Sequence, residues 1–229
     1  MNDQCQKPTR VNKDETPPSR RFNRVKRCRH GAMLFNIHDL FVGRSLNIYG
    51  EYAEQEVALF EKIIRPGDTV LDVGANIGAH TLFFANTVGD DGLVFAFEPQ
   101  RVVYQTLCGN LAMNSHTNTH AFQFAVGKEP GSLNVPPIDY RYENDFAGLE
   151  LGTYGYGESV QVIGIDDLGL RYCRFIKISA SNMEEQILEG ARETLEAIRP
   201  ILYNSNCRED RIPEVVDRIC AMDYDIHWH

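Results

Sequence analysis

The stretch Thr69 to Gly78, TVLDVGANIG, limits what this chain can fold into more than any other. Thr69 to Val73 is a short apolar run with one acid, Asp72, bounded by Pro66-Gly67 before and Gly74 after. A run of that kind reads as a buried parallel strand and not as a helix. Gly74 and Gly78 let the backbone turn tightly and approach a ligand, and the apolar residues from Ile77 to Ala85 restart as a helix. Strand, glycine turn and helix N-terminus together make a nucleotide-binding corner. Gly92 to Pro99, GLVFAFEP, is a second apolar strand. It carries Glu98 a little over ~20 residues after the glycines, where a ribose-binding acid belongs.

The turn also bears on which nucleotide. A dinucleotide site wants G-x-G-x-x-G and a backbone N–H cradle for a pyrophosphate. Here the turn is Gly74-Ala75-Asn76-Ile77-Gly78, with two glycines and an acid directly before it. An acid in that place suits a ligand that carries an ammonium and suits a pyrophosphate poorly. S-adenosylmethionine (SAM), with its amino-acid tail and ribose, fits better than NAD. A purely structural turn is the alternative.

A chain of 229 residues with 43% hydrophobic content is enough for one α/β domain with a real core. No apolar run approaches the ~20 residues of a membrane span, and no signal-peptide pattern opens the chain. The six cysteines are scattered without a C-x-x-C pair, as in a reduced cytoplasmic protein. The net charge of −9 hides an asymmetry: residues 1–30 carry +6, and the rest of the chain −15. An acidic body argues against a nucleic-acid partner. Residues 1–30, polar and Arg-rich, read as a disordered or loosely attached arm.

Along the chain, Ala32 to Phe41 and Arg44 to Tyr49 read as short strands or turns leading into a helix from about Ala53 to Ile64. Tyr49, Glu51 and Tyr52 just before that helix are candidates to line a substrate mouth, with ordinary packing as the alternative. Val102 to Met113 is a helix and Ala121 to Val126 a third strand, whose end places Ala125 and Val126 near an adenine. Residues 128–170 break the alternation with Pro, Gly, Tyr and Asp, including Asn144 to Gly148. An insertion of this length points to substrate recognition. Within it Val160 to Ile165 alternates as a strand. Arg174 to Ile178 is a further strand, Glu184 to Ala197 a helix, Pro200 to Tyr203 a strand, Ile212 to Met222 a helix, and Tyr224 to His229 a last strand. The alternation gives an α/β fold, a doubly wound and mostly parallel sheet with helices on both faces over residues 31–229. Asp72, Glu98, Ala125, Ser179 and residues 204–206 all fall at carboxyl ends of strands, where such sheets bind ligands.

TVLDVGANIGAHT, then FAFEP, then FIKI, MEEQILEGARETL and RPILY together resemble the FkbM family of SAM-dependent methyltransferases. The likeness runs from Arg29-His30-Gly31 to Trp228-His229, and takes in YGEY at Tyr49 to Tyr52, AVG at Ala125 to Gly127 and IDDL at Ile165 to Leu168. It implies a class I methyltransferase fold (Rossmann-like), with Asp72, Gly74, Asn76, Gly78 and Glu98 holding the methionine tail and ribose of SAM. It also implies an O-methyltransferase that releases S-adenosylhomocysteine, with a small-molecule hydroxyl as acceptor. Where the family usually reads KIDVEG this chain has Lys177-Ile178-Ser179-Ala180-Ser181-Asn182, and where it usually reads YVEND it has Tyr203-Asn204-Ser205-Asn206-Cys207. Serines thus replace strand-end acids that act as general bases or metal ligands. Lys177, Ser179 and Asp166 are the candidate catalytic residues, and Tyr49, Glu51 and Asn144 the candidate substrate contacts. No metal site and no membrane are expected, and a homodimer is left open. The second reading is a SAM-binding protein that has lost methylation and serves as a regulatory or partner subunit, or uses SAM for another reaction.

Overall fold

The computed structural model describes residues 21–205 and 208–229. Strands β1 (Asn23–Cys28) and β2 (Gly31–Asn36) form an antiparallel hairpin, Cys28 opposite Gly31. The loose arm read as far as residue 30 is therefore corrected over the hairpin, because residues 23–28 find a partner strand; residues 1–20 lie outside the described residues. Helix α1 (Val42–Ile48) replaces the strand or turn expected at residues 44–49. Val42, Gly43 and Leu46 are buried on one side of this helix, whereas a strand would turn the neighbours Val42 and Gly43 to opposite faces. Helix α2 (Glu54–Ile63) precedes β3 (Thr69–Val73), α3 (Ala79–Val88), β4 (Leu93–Phe97), α4 (Arg101–Met113) and β5 (Thr119–Phe122).

The chain then leaves the main sheet. The strand expected at residues 121–126 is two: β5, and the short β6 (Ala125–Val126), which pairs elsewhere. Residues 128–170 contribute β7 (Gly131–Val135) and β8 (Glu158–Ile163), and the order β6-β8-β7 makes a separate three-stranded sheet. Strand β9 (Phe175–Ile178), helices α5 (Glu184–Glu189) and α6 (Arg192–Ile198), strand β10 (Ile201–Asn204) and helix α7 (Ile212–Ala221) complete the order.

One helix was expected over residues 184–197, and the break has a steric cause. At Gly190 the carbonyl oxygen of Gly127 comes so close that a Cβ would lie 2.0 Å from it. Residues 224–229 form no strand. Arg199 donates to the carbonyls of Met222 and Asp223, and its guanidinium lies 4.1 Å from the Tyr224 ring centroid, so the chain is held by a side chain instead of a ladder.

The central sheet runs β10-β9-β3-β4-β5, all parallel. That is the doubly wound order, with its switch point between β3 and β9. Period-two alternation divides the core. Val70, Val94 and Phe175 pack with α2 and α3, while Leu71, Val73, Phe97, Ile176 and Ile178 pack with α5 and the small sheet on the other face. Among the described residues no helix is long and apolar enough to cross a membrane.

Candidate functional site

After Val73 the backbone turns at Gly74 (φ +75°), Asn76 (φ +52°) and Gly78 (φ +89°). A Cβ at Gly74 would lie 2.1 Å from the carbonyl oxygen of Ser179, and one at Gly78 would lie 2.6 Å from Leu107 Cδ1. Glycine is required at both by close approach as well as by handedness. The amides of Gly74 and Ala75 donate to the Phe97 carbonyl at 3.0 and 2.9 Å, which ties the turn to the end of β4.

Glu98 stands just past β4 and is buried. Its two oxygens accept from the amides of Asn76 at 3.0 Å and Gln100 at 2.9 Å. Burial pushes its carboxyl up to about 7 against the pull of those two donors. The Gln100 side chain donates to the Phe146 carbonyl at 2.8 Å and meets the Tyr140 hydroxyl at 3.4 Å, so the 128–170 segment is anchored at the ribose-side acid.

Two clefts open over these strand ends. The first is lined by the 74–76 turn, Glu98, Lys177, Ser179 and Ser205, with Tyr52 and Glu56 from the α2 side and His80 from α3. The second shares Gly74, Glu98, Gln100, Ala147 and Ser179 with the first, so the two adjoin. It continues into an apolar slot of Phe97, Phe124, Ala125, Val126, Leu151 and Met183. A polar cleft joined to an apolar slot across one acid suits a nucleoside carrying an amino-acid tail.

The structure thus brings Gly74, Asn76, Glu98, Ala125, Val126, Lys177 and Ser179 to one groove. Gly78 caps α3 at its edge.

For the other candidate residues the structure shows what each side chain is engaged with. Asp72 is the fourth residue of β3 and has no exposed surface. Its side chain points into the sheet–α3 interface, where it accepts from Thr81 Oγ1 at 2.7 Å and Lys177 Nζ at 2.9 Å. It lines neither cleft. Lys177, read as catalytic, is the other half of that buried pair. Asp166, also read as catalytic, accepts from the amides of Glu193 and Thr194 and so caps α6. Tyr49 is 73% exposed, Glu51 pairs with Arg29 at 2.6 Å, and Asn144 exchanges backbone hydrogen bonds with His38 and Leu40. None of these three lines the clefts, because each is engaged in ordinary local structure. Asn206 and Cys207 lie outside the described residues.

Sequence reasoning missed Glu56 and His80. Burial holds the His80 imidazole well below its usual value, at about 3, and its Nε2 has no hydrogen-bond partner. Burial raises the carboxyl of Glu56, and the Tyr203 hydroxyl is hydrogen-bonded to it. A signal did exist. Glu56 stands at i, i+4 and i+7 with Phe60 and Ile63, and His80 at i, i+4 and i+8 with Phe84 and Val88. Each is a titratable residue inside an apolar stripe.

A family model described as the methyltransferase FkbM domain matches residues 72–226. A methyltransferase FkbM from Methylobacillus flagellatus KT superposes with a TM-score of 0.52 at 18% identity, over 72% of this chain and 44% of that one. Wild-type Trm5b from Pyrococcus abyssi gives 0.52 at 14% identity, over 89% and 47%. The chain therefore spans less than half the length of either structure, and at these identities they show the fold alone. No curated protein matches the chain.

Proposed function

Because the chain belongs to the FkbM methyltransferase family, we propose that it methylates a hydroxyl of a small molecule with SAM as donor. One observation carries this reading: the glycine turn and Glu98 sit between a polar cleft and an apolar slot, and the polar cleft ends at Ser179 and Ser205. The residues present fit SAM. Glu98 offers a carboxylate to ribose hydroxyls, Ala125, Val126 and Met183 offer an apolar bed for a base, and Gly74 leaves room at the turn. SAM supplies an electrophilic methyl group and leaves as S-adenosylhomocysteine.

The chain's own contribution on the acceptor side is alignment. Ser179 and Ser205 present hydroxyls where the family usually carries acids, and a serine at neutral pH orients an acceptor hydroxyl without deprotonating it. Holding reacting atoms in line supplies a large share of the rate for methyl transfer. An acceptor with an acidic hydroxyl is therefore favoured over a plain alcohol. The acidic body outside residues 1–30 supports a small acceptor over a polyanion.

The test is calorimetric titration with SAM and S-adenosylhomocysteine, followed by labelled-methyl transfer to a panel of phenols, sugars and hydroxy acids. Micromolar binding with transfer to one class is expected; absence of binding by folded protein overturns the reading. The serine replacements also favour a second reading, SAM binding without methylation. Binding with no transfer across the panel would select it.

A further inference from the structure

The acid beside the glycine turn is not available to a ligand. Asp72 is completely buried, one oxygen bonded to Thr81 and the other to Lys177, and the cleft wall does not include it. Glu98 has both oxygens engaged by backbone amides on the ribose side. The remaining acid that lines the polar cleft is Glu56 of α2, which shares that lining with Gly74, Ala75 and Asn76.

We propose that Glu56, together with His80, receives the ammonium of the amino-acid tail of SAM. The inference rests on the SAM reading above and adds the subsite that the sequence had placed at Asp72. His80 lines the cleft, and its Nε2 is buried just behind that wall, has no hydrogen-bond partner and lies 3.9 Å from Glu56 Oε2. The two atoms are too far apart to bond each other and close enough to share one nitrogen donor at about 2.9 Å from each. His80 is held in place by edge-on packing against Phe60 and by the Tyr52 ring, at 5.4 and 5.6 Å between centroids. Tyr203 anchors the Glu56 carboxyl from β10 through a side-chain hydrogen bond, and the charge of Lys177 also favours its ionised form.

The competing cation in the cleft, Lys177, is paired with Asp72 at 2.9 Å. A carboxylate whose charge is raised in energy by burial gains when a cation arrives, and a neutral imidazole keeps a nitrogen lone pair for an N–H donor.

The experiment compares ligands with and without the ammonium. S-adenosylhomocysteine, its deaminated analogue and methylthioadenosine are titrated calorimetrically into the unsubstituted chain, Glu56→Gln and Glu54→Gln. Glu56→Gln should weaken S-adenosylhomocysteine about 10- to 100-fold, the loss of a hydrogen bond to a charged group. Its affinity for methylthioadenosine and for the deaminated analogue should stay within about threefold. Glu54, which pairs with His30 at 2.8 Å outside the clefts, controls for net charge, and its variant should change none of the three. In the unsubstituted chain the deaminated analogue should be weaker by the same factor as the Glu56 variant. Equal loss for all three ligands, or no loss, overturns the inference and leaves the SAM reading standing. Binding of none of the three by the unsubstituted chain defeats the SAM reading itself.

Discussion

Lys177 Nζ lies 2.9 Å from Asp72 Oδ1, and the two residues are register partners on adjacent parallel strands, with side chains 4% and 0% exposed. The pair spans the switch point of the sheet, directly beneath the groove. Removing one partner of a buried pair leaves an uncompensated charge, at a cost of about 3–5 kcal/mol. Lys177→Met should lose that much in urea unfolding. Asp72→Asn added to it should recover part of the loss, since the Thr81 hydroxyl keeps an acceptor. A Lys177→Met variant as stable as the unsubstituted chain would show that the pair contributes nothing.

Asp166 separates structure from chemistry. Its carboxylate accepts from the amides of Glu193 and Thr194 at the start of α6, as a helix cap does. Asp166→Ala should cost about 1 kcal/mol of stability. SAM affinity and any methyl-transfer rate should be unchanged. A rate loss beyond tenfold at unchanged affinity would return Asp166 to the site.

Gly74 tests the turn. With φ at +75° and the Ser179 carbonyl 2.1 Å from where a Cβ would sit, alanine brings backbone strain and a clash with main chain. Strain alone costs about 1–3 kcal/mol. Gly74→Ala should be destabilised by at least that amount, and should lose SAM binding because Gly74 and Ser179 wall both clefts. Gly67 is a contrast: it also has positive φ, but nothing lies within 4 Å of its Cβ position. Gly67→Ala should therefore show the strain without the loss of binding.

What could be read in the sequence follows from range. The central strands were legible because each is a short apolar run bounded by turn residues, and the groove followed from where those runs end. Asp72 was misplaced because sequence spacing puts it beside the turn but does not say which face of the strand it occupies. The alternation of Val70, Asp72 and Lys177 toward α3 settles that only once β9 is known to pair with β3. Asp166 looked like a strand-end acid because the break at Gly190, which creates the helix start it caps, comes from a long-range approach of Gly127. Glu56 and His80 carried a local signal, a polar residue in an apolar stripe. Their meeting at 3.9 Å depends on how α2 packs on α3, and no local pattern encodes that.

Glu98 makes the pH dependence of this fold a test of the groove. Burial lifts its carboxyl from an ordinary 4.5 to about 7. The folded state therefore holds more protons than the unfolded chain between those values, so stability falls as pH rises through that window. The stabilising share is fully present below pH 4.5 and is lost as pH passes 7. A shift of this size corresponds to about 3 kcal/mol. Glu98→Gln, which does not titrate, should be flat over the same range, so the difference between the two chains in urea unfolding should change by that amount from pH 4.5 to 8. Ligand binding runs the other way. Ribose hydroxyls donate better to a carboxylate than to a carboxylic acid, so SAM affinity of the unsubstituted chain should rise between pH 6 and 8, and that of Glu98→Gln should stay low and level. Parallel curves for both chains, in stability and in binding, would mean that Glu98 is ionised throughout and that the groove is wetter than its burial indicates.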